Sequence, residues 1–174
     1  TFYSFSGLFN VITSLTLILI VLIKSPRSIT NRLFIIFMSM VGLWSMFYFL
    51  WLNTTNSGLA DFYLRTSMIG VIFMPSTFTH FVISLLKQNT ALQLNLRLKN
   101  RPLLIGNYLI SIFLATIAYT PLFAKAGGPL FAIPYWATPG PVFYRHNIHF
   151  SFKFVYAFYL MFYSIRRSQG IFRN

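Results

Sequence analysis

The chain of 174 residues is 56% hydrophobic and 20% aromatic, with phenylalanine at 21 positions, and only 9% of it is charged, against roughly 25% in an ordinary soluble domain. So much apolar surface in so short a chain excludes a water-soluble core. The ~10-residue alternating strands of an outer-membrane barrel are also missing, which leaves an all-α, polytopic membrane helical bundle of about five transmembrane helices. The net charge of +13 comes from 14 Lys and Arg set mostly in short loops beside apolar runs, which is a topological pattern and excludes a nucleic-acid partner.

Cysteine is absent and Asp61 is the single acid. Disulfides, thiolate metal sites, paired-carboxylate hydrolysis and Asp/Glu proton relays therefore all lack their parts.

The first span runs from Phe2 to Ile23, with Asn10 and several Ser and Thr that a helix satisfies by bonding back to its own carbonyls. It is not a signal peptide, because its charges follow the apolar run instead of preceding it. Residues 24–32, KSPRSITNR, form a turn with Pro26 as breaker and Lys24, Arg27 and Arg32 as its charges. Leu33 to Leu52 is the second span, and Trp44, Tyr48 and Trp51 gather toward its far end as an aromatic belt would. NTTNSGLAD, residues 53–61, is a polar loop on the opposite side.

Phe62 to Leu86 is the third span and the one with chemistry inside it. Asp61 and Arg65 are four apart and can pair at its mouth. Pro75 lacks an amide hydrogen and should kink the helix near its middle, and His80 follows five residues later. The next loop, 87–102, is basic. Its centre, ALQLNLRLKN, alternates leucines with polar residues, the period of a short strand or a surface-lying segment.

Leu103 to Phe123 then runs 21 residues without a charge, enough for the ~30 Å hydrocarbon core of a bilayer. Ser111 and Ala115 offer it a small-residue contact for a neighbouring helix.

Residues 124–149 form a hairpin-like external cap: prolines 129, 134, 139 and 141 forbid a long helix, and Thr138 to Pro141 reads as a turn between the arms PLFAIPYW and VFYRHN. The fifth span, Phe150 to Ile165, is extended outward by Lys153, whose stem can snorkel, and is ended by Arg166 and Arg167. Residues 24–32, 87–102 and 166–174 hold ten basic residues, whereas 53–65 and 124–153 hold four. The N-terminus is therefore expected outside and the C-terminus inside. No repeat or linker divides the chain, so 1–174 is a single transmembrane domain.

His80 is the one intramembrane candidate for a cofactor, a proton relay or a polar ligand near Pro75, and its plain reading is a hydrogen bond to a neighbouring helix. Haem iron usually takes two axial ligands, and no other histidine lies at membrane depth, so no cofactor is assigned. Outside, Arg145 could hold an anion between Trp136 and Tyr144, with Tyr135 as a further wall. His146 and His149, spaced i and i+3, are two metal ligands without a carboxylate or thiolate, so no metal site is expected; plainly read, these residues cap the last helix. No phosphate loop or nucleophile–base pair is present, so the segment is not an enzyme.

SPRSITNRLF with Trp44, MPSTFTHF from Met74 to Phe81, and RRSQGIFRN after the fifth span together resemble the N-terminal seven-transmembrane sensor region of bacterial histidine kinases. The match covers nearly the whole chain but only five of the family's helices, and no phosphoacceptor or ATP-binding residue carries over. The resemblance implies a sensory input module in the bacterial inner membrane, with Pro75, His80 and the cap residues as the positions that contact a ligand or pass a signal. Its expected partners are the lipid bilayer and other transmembrane helices, beyond residue 174 or in partner subunits of an oligomer. The chain starts without methionine and is expected to be a fragment. The rival reading is an accessory subunit of an electron-transfer or photosynthetic complex contacting pigment, haem or lipid; a transporter comes third.

Overall fold

Five helices and one small hairpin carry the described residues of the computed structural model, which are 2–87, 101–130 and 133–171, with side chains as far as Arg166. Helix α1 spans Phe2–Lys24 and α2 spans Ile29–Asn53. The turn between them is shorter than the run of charges suggests. Asn31 Nδ2 donates to the Ser25 carbonyl at 2.8 Å and Arg32 Nε to the Pro26 carbonyl at 3.2 Å, so two residues expected in the loop sit in the first turn of α2 and bond back across it.

Helix α3 spans Ser57–Leu86. It starts ahead of Phe62 because Asn56 is an N-cap whose side chain accepts the Leu59 N–H at 3.0 Å. This is the central helix: half of its spanning stretch is buried, against 11% for α1. At Gly70 it meets α2 so closely that a Cβ would lie 2.6 Å from the Met40 carbonyl oxygen and 2.8 Å from the Trp44 nitrogen.

Helix α4 spans Arg101–Ala118 and stops short of Phe123. Pro121 cannot donate and disfavours helix in the residue before it, and the chain turns through Thr120 N–H to Ile117 O at 2.9 Å and Phe123 N–H to Thr120 O at 3.1 Å.

Strands β1, Ala124–Ala126, and β2, Ala137–Pro139, pair antiparallel with Lys125 opposite Thr138. A hairpin is thus present, but neither expected arm forms it: Thr138 and Pro139, expected in its turn, lie in β2, PLFAIPYW falls between the two strands in sequence, and VFYRHN is helical. Helix α5 spans Pro141–Ile171. A proline that forbids helix in an interior is well suited to the first helical position, where no amide donor is needed. Gly140 N–H donates to Phe123 O at 2.8 Å and Val142 N–H to Leu122 O at 3.1 Å, and a side chain on Gly140 would run into the Leu122 carbonyl.

Because α5 begins at Pro141, His146 and His149 lie inside the helix and do not cap it. Lys153 lies on the packed face, only 3% exposed, so it does not snorkel to an interface.

The core lies toward the hairpin, where Trp51, Leu64, Ile72, Phe123 and Ile133 pack together. Trp51 is not a belt residue: it is 4% exposed, donates from Nε1 to the Tyr135 carbonyl at 2.8 Å, and meets the Trp136 ring at 6.2 Å. At the other end Thr30 and Ser84 hydroxyls, 2.8 Å apart, tie the start of α2 to the end of α3. The five helices are long and apolar enough to cross a membrane. The alternating segment ALQLNLRLKN, the Arg167 side chain and Arg173 lie outside the described residues.

Candidate functional site

Helix α3 passes through Pro75 without interruption. Pro75 has no N–H, so the Val71 carbonyl loses its ordinary donor, and inside a membrane polar groups must be satisfied by the protein itself. Hydroxyls crowd these turns and bond to carbonyls other than that of Val71. Thr79 Oγ1 donates to the Pro75 carbonyl at 2.8 Å, and Thr77 Oγ1 lies 3.0 Å from both the Phe73 and Met74 carbonyls.

The next layer joins three helices. Lys153 Nζ of α5 donates to Ser76 Oγ of α3 at 2.9 Å. Ser76 Oγ lies 2.8 Å from Ser111 Oγ and 3.2 Å from the Asn107 carbonyl of α4, and Ser111 Oγ lies 3.2 Å from the Ile72 carbonyl. Ser76, Ser111 and Lys153 are all buried. The sole carboxylate of the chain is engaged elsewhere, with Arg65, so the Lys153 amine has a hydroxyl and not an acid for its partner. Around it the Phe78 and Phe154 rings stack at 4.9 Å and Phe150 meets Phe154 at 4.8 Å.

This junction has two complete hydrogen-bond patterns, because each serine has one proton to give. With the Ser76 proton on the Asn107 carbonyl, Ser111 donates to Ser76. With the Ser76 proton on Ser111, Ser111 donates to the Ile72 carbonyl. Either pattern accepts the Lys153 proton at Ser76, and they differ in whether the turn before Pro75 receives a donor from α4.

His80 lies one turn further along α3, half-buried, with Nδ1 3.2 Å from the Tyr108 hydroxyl of α4. Its plain reading is therefore realised, through a tyrosine. His80 also lines an open cavity of about 600 Å³. Lys87 and Arg101 stand at this cavity with Tyr108, and Leu104, Ile105 and Leu109 of α4 complete its wall.

The group expected outside, Arg145 with Trp136 and Tyr144, does not assemble. Arg145 and Tyr144 are exposed on the first turns of α5, whereas Trp136 is half-buried against Trp51. No hydrogen bond or ring contact joins the three among the described residues. His146 is 2% exposed between Phe123 and Phe150, at ring distances of 5.5 and 6.0 Å, with no hydrogen-bond partner on either nitrogen among the described residues. Among the described residues no group of three His, Cys, Asp or Glu converges there.

The predicted Asp61–Arg65 pair forms, at 2.7 Å, and does more than fix a helix start. Asp61 Oδ1 accepts the Ala126 N–H at 3.0 Å, and Arg65 donates to the Tyr119 carbonyl. The pair thus ties α3 to the hairpin and to the turn after α4.

Sequence reasoning missed Lys153, Ser76 and Tyr108. A signal for Lys153 was present: His146, Lys153, Ala157, Leu160 and Ser164, all buried, recur at the spacing of one helical face.

No curated protein and no solved structure matches the chain. The family model described as the N-terminal 7TM region of histidine kinase matches residues 8–174, in keeping with five helices long and apolar enough to cross a membrane. The chain belongs to that family, the membrane-embedded sensor region of histidine kinases.

Proposed function

We propose that the chain is a non-catalytic, single-domain sensory input module of the bacterial inner membrane, its N-terminus outside and its C-terminus inside, in which α3 bends about Pro75 and passes its state to α5. The observation that carries this reading is the Lys153–Ser76 hydrogen bond. It links α5 to the residue after the proline, at a junction with two hydrogen-bond patterns. A stimulus acts by favouring one arrangement, and a difference of about 1–3 kcal/mol is enough to shift the balance. His80 and Pro75 are the receiving positions in this scheme, and α5 is the transmitting helix.

The chain has no cysteine, so pairs of spin labels can be placed without background. With Leu85→Cys and Phe162→Cys, both on exposed surface, in lipid nanodiscs, Lys153→Met should shift the α3–α5 distance by about 1–2 Å or broaden it visibly. Ser76→Ala should act in the same direction. Distance distributions that superimpose for the parent and both variants would defeat the proposal.

A further inference from the structure

The basic end of the bundle contains positive charge that the chain cannot neutralise. Asp61 is the only acidic residue, and it is paired with Arg65 and bonded to the hairpin. Lys87 and Arg101 nevertheless stand together at the cavity between α3 and α4, whose volume of about 600 Å³ falls in the roughly 300–1,000 Å³ of small-molecule pockets. Leu104, Ile105 and Leu109 make its wall, and Ile105 and Leu109 are 56% and 61% exposed. His80 and Tyr108 add neutral hydrogen-bonding groups.

We infer that this cavity binds one anionic phospholipid from the leaflet at that end. Lys87 and Arg101 hold its phosphate, and its acyl chain lies along Leu104, Ile105 and Leu109. A neutral apolar molecule would leave two cations unpaired, and a water-soluble anion would leave the leucine wall unfilled. An anionic lipid satisfies both, as basic pockets between membrane helices do elsewhere. The consequence for signalling rests on the sensory reading: an occupant beside His80 acts on α3 five residues from Pro75. Binding itself does not depend on that reading.

Native mass spectrometry of the full chain in neutral detergent, titrated with phosphatidylglycerol or phosphatidylcholine, tests the site. One phosphatidylglycerol should bind more tightly than phosphatidylcholine. Affinity should fall roughly fivefold for each of Lys87→Gln and Arg101→Gln, while Lys24→Gln with Arg27→Gln, at exposed cations away from the cavity, leaves it unchanged. Leu109→Gln keeps both cations and should also weaken the lipid, so the test survives if the charge variants do not fold. Equal binding of the two lipids, an equal loss in the Lys24/Arg27 control, no loss in Leu109→Gln, or displacement of the lipid by equimolar inorganic phosphate would each overturn the assignment. An unmoved α3–α5 distance with the lipid bound would defeat only the sensory reading.

Discussion

At the hairpin end of the bundle the chain's single acid and several other polar groups have partners within the chain, although the buried His146 has none among the described residues. Asp61 pairs with Arg65 and accepts from Ala126, Trp51 donates to Tyr135, and the Tyr135 hydroxyl reaches the Thr55 carbonyl at 3.2 Å. At the opposite end Lys24, Arg27, Arg32, Lys87, Arg101 and Arg166 have no carboxylate to meet, and a cavity stands open beside His80. One end is tied together by long-range bonds, and the other gathers cations with no acid among them. The difference bears on the proposed sensor: long-range bonds fix helix positions at the hairpin end, whereas the serine junction and the cavity beside His80 are where, in the proposed scheme, a stimulus biases α3.

Mutations should separate the two ends by their effect on stability. The largest loss is expected for Trp51→Ala, which empties a buried aromatic site and removes its bond to Tyr135; equilibrium unfolding in bicelles should show about 3–5 kcal/mol. Gly70→Ala drives a methyl group into the α2 backbone and should lower stability by about 1–3 kcal/mol, with Phe37–Phe78 contact, now at 5.1 Å, loosened as read by aromatic NMR shifts. Asp61→Asn keeps an acceptor for Ala126 but loses the charge. Because the pair is partly exposed, 16% and 33% for the two side chains, the loss should be about 1 kcal/mol, and faster amide exchange should appear at Ala126. The smallest effect is expected at the basic end: Arg101→Gln in neutral detergent should change stability by no more than about 0.5 kcal/mol. A loss at Arg101 as large as that at Asp61 would erase the contrast.

The contrast was only half legible in the sequence. Uncharged runs of about 20 residues fix the existence of each span, since backbone in lipid has few alternatives to helix. Helix limits were less visible, because they depend on particular end residues: Asn56 capping α3, Pro121 stopping α4, and Pro141 starting α5 where a proline-rich stretch reads as helix-free. The Asp61–Arg65 pair was readable because both partners lie on one turn. Lys153–Ser76, His80–Tyr108 and Trp51–Tyr135 were not, because their partners are 77, 28 and 84 residues apart and meet only once the helices pack. Lys153 in particular was assigned to the interface by its charge, although its spacing with Ala157 and Leu160 placed it on the packed face.

The most direct test of the whole account is which side of the membrane each end occupies. Single cysteines at Thr55 in the hairpin-end loop and at Ser25 in the basic turn, both exposed, can be challenged in intact bacterial spheroplasts with a membrane-impermeant maleimide. The account predicts immediate labelling at 55, and at 25 only after the membrane is opened. Labelling of 25 in intact spheroplasts, with 55 protected or labelled alongside it, would contradict it.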